Sequence, residues 1–229
     1  MTLQRESVSA DQHAYNYILG EIRSGRMAGG TRLKSEKIAK AIGVSRIPVR
    51  GAMRQLESEG FITIRPNRGA VVTALGPDDV GELFEIRSVL EALSARISTP
   101  MFDKNALDDL RDLLVRLNRA RDDTDLWIKR HFEFHHFLCS MSKRRRLISE
   151  ITKFNTLCEP YMRLWYTKSD RTKKDVDEHR DIIEAIETGD PNKAESVVRE
   201  HIARGAVQLR AFFRSNPEVK KRTRLRVHA

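Results

Sequence analysis

Apolar positions recur at helical spacing along most of the chain and give way to short β-prone runs in one stretch only. Ala14, Ile18 and Ile22 stand at i, i+4 and i+8, after Ser9 with Gln12 three residues on, a pairing that resembles a capping box, and before a stop at Gly25. This predicts a first helix. Gly29 and Gly30 make a turn, Leu33 is placed to plug a core, and Ser35 is expected to cap a short helix over 36–42 that ends at Gly43. A residue without Cβ takes the left-handed conformation there at little cost. Ser45 is expected to cap the next helix, with Pro48 in its first turn, an apolar stripe of Val49, Met53 and Leu56, and an end at Gly60. The β-prone runs 61–64 and 70–73 then flank Arg65-Pro66-Asn67-Arg68-Gly69, a hairpin with a basic tip.

Gly76-Pro77-Asp78 punctuates the chain, with Asp78 expected as a cap, and everything after it reads as helix. Amphipathic segments fall at 78–98, 104–120, 125–141, 146–167, 174–188 and 191–213, with start signals at Thr124 and Asp190-Pro191 and a stop at Gly189. The expected fold is mainly α: a winged helix-turn-helix over 1–75, an all-α antiparallel bundle of six or seven helices over 76–213, and a basic disordered tail over 214–229. The two parts carry different chemistry.

On the helix after Gly43, Arg46, Arg50 and Arg54 recur every four residues away from the apolar stripe. A short helix, a glycine turn and a basic-faced helix describe a unit whose second helix enters the DNA major groove. Charge agrees. The net charge is +10, and residues 1–75 hold 12 Lys and Arg against 6 Asp and Glu, whereas the rest holds 30 against 26. A solvated basic face is the bland alternative, but a capped helix beside a basic-tipped hairpin favours recognition. Arg46 and Arg50 are expected to specify bases, and Lys34, Lys37 and Arg54 mainly to position the protein on phosphates. Cys139 and Cys158 form no CxxC pair and fit a reducing cytoplasm; no apolar run approaches membrane-spanning length.

In the second half, polar residues fall on stripes that should be buried. His131 and His135 lie at i and i+4 beside Ile128 and Leu138, His179 lies with Val176, Ile183 and Ile186, and His201 lies with Ala194, Val197 and Val198. Four of seven histidines thus face inward, either to hold a divalent metal or as a neutral hydrogen-bonded cluster that binds a ligand or fills the core. Arg87, between Leu83 and Leu90, needs an anion: Glu91 one turn on, or the carboxylate of a small effector. His136 points off the stripe, and Pro160 is expected to kink its helix, with Tyr161 and Trp165 in core or pocket wall. A metalloenzyme is disfavoured. HExxH is absent, Glu133 lies opposite the histidines, and no nucleophile elbow or phosphate loop is present. A ligand-independent DNA-binding dimer is the other alternative.

Residues Tyr15, Ile18, Ile22, Gly25, Gly30, Leu33, Ile38-Ala39, Gly43-Val44-Ser45-Arg46, Pro48-Val49-Arg50, Leu56, Glu59-Gly60-Phe61 and Gly69 resemble the winged-helix domain of the GntR family of bacterial transcription regulators. That resemblance implies DNA contacts from Ser45, Arg46 and Arg50, with the wing tip at Arg68 and Gly69 reaching the minor groove. Ala28-Gly29-Gly30 departs from a usual Pro-Gly turn, Ser35 stands where an acid is common, and Glu36 stands where some members carry a DNA-contacting arginine. The second half is similar to the FCD domain of the FadR branch, through 85–91, Phe134-His135, Glu178-His179, Ile182, Ala185-Ile186, Gly189-Asp190, Ala194 and Glu200-His201. This implies a divalent metal on His135, His179 and His201, with His131 where Asp or Asn is usual and Lys143 near a common Asn. Zn²⁺ or Ni²⁺ suits four imidazoles. The resemblance further implies a homodimeric regulator on a palindromic operator, released as a repressor by a small organic acid that Arg87 helps to hold.

Overall fold

The computed structural model describes residues 9–65, 69–168 and 174–216. The chain divides into two compact units that part between Gly76 and Pro77.

In the first unit α1 (Ala10–Arg23) starts at Ser9, whose hydroxyl accepts from the Gln12 N–H at 3.2 Å, and it buries Ala14, Ile18 and Ile22. The two-residue strand β1 (Arg32–Leu33) leads into α2 (Ser35–Ile42), and α3 (Arg46–Ser58) follows the turn at Gly43, which is left-handed at φ 69°. Ser35 does not cap α2. Lys34 takes the cap position in extended geometry, its carbonyl accepts from Ile38 N–H at 3.1 Å, and Ser35 is already the first helical residue. Strands β2 (Ile62–Arg65) and β3 (Gly69–Val72) form the wing hairpin, with Arg65 opposite Gly69. Gly69 turns the chain at φ 80°, a conformation side chains with a Cβ resist. β1 adds antiparallel to the outer side of β3, giving the order β1-β3-β2. Leu33, Phe61, Ile62, Ala70 and Val72 are buried, as are Val49, Ala52, Met53 and Leu56 of α3, which packs on α1, α2 and β2. Arg68 at the wing tip lies outside the described residues.

The second unit is helical throughout its described residues: α4 (Pro77–Ser98), a short 3₁₀ turn (Thr99–Met101), α5 (Lys104–Arg119), α6 (Thr124–Ser140), α7 (Arg145–Lys168), α8 (Lys174–Glu187) and α9 (Pro191–Ser215). Caps differ from expectation at two starts. Asp78 lies inside the first turn of α4, which Pro77 opens, and Asp123 rather than Thr124 caps α6 by accepting from Leu126 N–H at 3.0 Å. Asp190 caps α9 with Pro191 in its first turn. α7 continues as helix through Pro160. α4 and α9 pack along each other at the centre, α6 and α7 cover α4, and α8 lies against α9 and α5. α9 runs past the expected end at 213 to bury Phe213 and close at Asn216; residues 217–229 of the basic tail lie outside the described residues. Among the described residues no helix is long and apolar enough to cross a membrane.

Candidate functional site

Two sites are built, one in each unit. On α3 the buried residues are Pro48, Val49, Ala52, Met53 and Leu56, so the opposite face is left to Arg46, Ile47, Arg50 and Arg54, all exposed. Ser45 stands at the cap position with extended backbone, yet its hydroxyl makes no cap hydrogen bond. The reason is chemical. A capping serine accepts from the second or third N–H of the helix, and the third residue here is Pro48, which removes one of these two donors and leaves only that of Ile47, which the hydroxyl does not engage. The Ser45 hydroxyl is therefore exposed at the tip of α3 instead of being spent on its own backbone. Lys34 is exposed just before α2. Glu36, in the first turn of α2, reaches across so that Oε1 lies 2.8 Å from Nη1 of Arg46, a pairing not anticipated from sequence. Both side chains are exposed, so the pair adds little stability but holds one edge of the guanidinium to one side.

The second site lies among α4, α6, α8 and α9. His131, His135, His179 and His201 converge there, one ligand atom from each lying within 4.8 Å of all the others. Four nitrogens held ~2.1 Å from one ion span at most ~4.2 Å, so a small closure of the rings completes such a site. The hydrogen bonding agrees with an ion. Nδ1 of His201 is taken by Glu178 Oε2 at 3.0 Å, which turns its Nε2 to the cluster, and Arg204 Nε holds the other Glu178 oxygen at 3.0 Å. Nδ1 of His135 lies 3.0 Å from Glu91 Oε2, and its Nε2 is buried with no hydrogen-bond partner; so is Nδ1 of His131. Carboxylates behind imidazoles and bare nitrogens in front are the arrangement of metal-ligating histidines. Trp127 stacks on His131 at 4.9 Å between ring centres and touches Tyr166 at 4.0 Å, walling one side. Neither Glu178 nor Trp127 stood out in the sequence as part of a site. An acid beside an inward histidine was the available signal for Glu178.

Arg87 is fully buried and forks onto one oxygen of Glu91 through Nε at 3.0 Å and Nη2 at 2.9 Å, so the internal ion pair is formed. Nη1 lies 3.9 Å from the Met162 sulfur, the buried Cys158 thiol is a further hydrogen-bond neighbour of the guanidinium, and the group sits 4.6 Å over the Phe84 ring. Burial alone would raise the Glu91 carboxyl, but Arg87 and then His135 outweigh it and hold it at about 2. The chain Arg87–Glu91–His135 thus links the buried cation to the imidazole cluster. A cavity of about 40 Å³ opens beside it, lined by Arg87, His131, His179, His201, Met162 and Trp165 among others. A water needs ~10–15 Å³, so this is room for an ion's open coordination position and a few waters. An organic acid requires the side chains around it to move.

Burial, and then the neighbouring imidazoles, push His131 well below the usual histidine range; burial likewise lowers His201, against the pull of Glu178. Unfolded histidines take up protons first as pH falls, so the folded state loses stability below about pH 6.5. Chelator-treated protein is expected to melt progressively lower from pH 7 to pH 5, with a flatter profile for His131→Phe. Thermal melts across that range check it, and a profile unaltered by the substitution would contradict it.

Comparison with known proteins matches both units. Residues 10–72 match the family "Bacterial regulatory proteins, gntR family", and residues 82–204, over half of the chain, match the FCD domain. The chain is 29% identical over 208 residues to the HTH-type transcriptional regulator YdhC of Bacillus subtilis, covering 89% of this chain and 92% of that protein. It is 29% identical over 192 residues to a probable D-xylose utilization operon transcriptional repressor of Paenarthrobacter nicotinovorans, covering 82% and 83%. Among solved structures, E. coli McbR/YncC superposes with a TM-score of 0.78 at 20% identity, covering 92% of this chain and all of that one. The two relatives found by sequence are named as a transcriptional regulator and a transcriptional repressor.

Proposed function

The chain belongs to the GntR family of bacterial regulatory proteins and carries an FCD domain, and from that premise we propose a homodimeric repressor whose operator affinity is set by a small carboxylate bound at the buried histidine centre. It is a DNA-binding transcriptional regulator and not an enzyme. Duplex DNA as its ligand puts it in the cytoplasm. The observation that carries the effector reading is the convergence of four imidazoles on one point beside a cavity that also holds Arg87. A divalent ion there, Zn²⁺ or Ni²⁺ by its all-imidazole donors, supplies a Lewis-acid seat for a carboxylate oxygen. Arg87 offers Nη1 to the second oxygen. Because Arg87 already shares its charge with Glu91, the pocket favours a carboxylate that also reaches the metal over one that needs the arginine alone.

Effector binding changes operator affinity only if it favours one arrangement of the two DNA-reading heads over another. Protein purified without chelator should carry near-stoichiometric metal, and His179→Ala should lose it. Small carboxylates screened against the loaded protein should then include one that weakens operator binding only when metal is present. Metal-free protein whose melting Zn²⁺ and Ni²⁺ leave unmoved would remove the metal from the account. Loaded protein indifferent to every carboxylate would leave a constitutive DNA-binding dimer.

Dimer contact is assigned to the outward face of α4, where Ile86, Val89 and Leu93 are 36%, 50% and 40% exposed in one stripe. The acidic Glu82 lies at one end of it and the basic run 143–146, beside Leu93 and Ile97, at the other. Two copies packed antiparallel about Val89 would cover the apolar stripe and set acid against base at both ends, as a two-fold contact requires. Val89→Asp is expected to convert the protein to a monomer in sedimentation and to weaken operator binding. A variant that still sediments as a dimer would move the contact elsewhere.

A further inference from the structure

We infer that Ile47 is a specificity-determining residue that reads the 5-methyl group of a thymine in the operator, an inference that rests on α3 being the DNA-reading helix. Ile47 is 80% exposed, the most exposed of the large apolar side chains among the described residues. It is the second residue of α3, and its neighbours in the helix, Pro48 and Val49, turn inward to the core. The fold makes no use of it. Its i+4 neighbour is Gly51, which has no side chain to cover it, and its i+3 and i+7 neighbours are Arg50 and Arg54, both exposed. A β-branched residue in an exposed first turn is also a poorer helix former than the straight-chain residues available.

An apolar group among cations at the tip of a recognition helix meets base edges, because the N-terminal residues of that helix enter the groove. The thymine methyl group is the one bulky apolar feature on the floor of the major groove. Arg46 stands beside Ile47 with one edge of its guanidinium held by Glu36 at 2.8 Å, leaving the other edge for the groove. The isoleucine is therefore delivered into the groove between two charged donors, and the methyl group it covers lies within a base pair or two of those that Arg46 and Arg50 contact.

Replacing thymine by uracil removes that methyl group and nothing else. A preferred duplex is first selected from a randomised pool with the full-length protein, and each thymine of both half-sites is then replaced by uracil in turn. At one thymine per half-site the wild type should lose about fourfold in affinity, the effect of one buried methyl group, and on the order of fifteenfold when both half-sites carry uracil. Ile47→Ala should bind the thymine duplex correspondingly more weakly and be indifferent to uracil there, with unchanged melting, while Ile47→Val should keep most of the discrimination. A wild-type protein indifferent to uracil at every position overturns the inference, as does an alanine variant with the wild-type uracil penalty. Failure of the wild type to enrich any sequence overturns the DNA-reading assignment of α3 together with it.

Discussion

Glu91→Ala is expected to destabilise the protein by about 3–5 kcal/mol, the cost of leaving one member of a buried ion pair without the other. For a chain of this size that lowers Tm by roughly 6–20 °C. Arg87 and Glu91 are 1% and 0% exposed, and the carboxylate is also the group 3.0 Å behind His135. Deleting it strands a guanidinium beside a thioether, a phenyl ring and the Cys158 thiol, none of which carries the negative charge it needs, and it frees the His135 ring to turn. The loss belongs to the stranded charge more than to the attraction of the pair, and this has a checkable consequence. Arg87→Met combined with Glu91→Leu should recover most of the lost stability, since apolar replacement of both partners is often neutral, while still failing to bind metal as the wild type does. Thermal melts of the three proteins decide it. A single variant melting within a degree of the wild type would mean that the pair carries no such burden.

Arg50→Ala is expected to collapse discrimination between operator and random duplex while leaving the fold intact, because the Arg50 side chain is exposed. An arginine forked onto guanine contributes about 1–3 kcal/mol of base choice, roughly 5- to 150-fold in each half-site. Lys34→Ala provides the contrast. It should weaken binding to all duplexes alike and reduce the salt dependence by about one phosphate contact. Competition binding with operator and random DNA separates the two, and an Arg50→Ala protein with the wild-type ratio would take the assignment away from that residue.

The helices and the hairpin were legible because their signals are local. Gly43, Gly60 and Gly189 end helices in the left-handed conformation where a stop was expected, and the stripes of α3 and α6 bury the residues their spacing indicated. Ser35 departs from expectation for a non-local reason: β1 pairs with β3, across more than thirty residues of chain, and that pairing fixes Lys34 in the extended geometry of the cap. Ser45 is different. The missing N–H of Pro48 was present in the sequence, and it removes one of the two donors a capping serine can use. Periodicity also brought four histidines inward and offered Glu91 as one of two candidate anions for Arg87, since both are matters of spacing within a helix. It carried nothing about how helices align with one another, so the contacts of Glu91 with His135 and of Glu178 with His201 became visible only in the folded bundle. The same limit hid Glu36 beside Arg46, where two helices meet.

Selection of bound duplexes from a fully randomised pool by the wild-type protein tests most directly that this chain regulates by reading DNA. One enriched sequence is predicted, made of two inverted half-sites about one helical turn apart, as a two-fold dimer with one α3 per major groove demands. A pool that returns unenriched, with all duplexes bound alike and released alike by salt, would contradict it and leave only a basic surface on a helical scaffold.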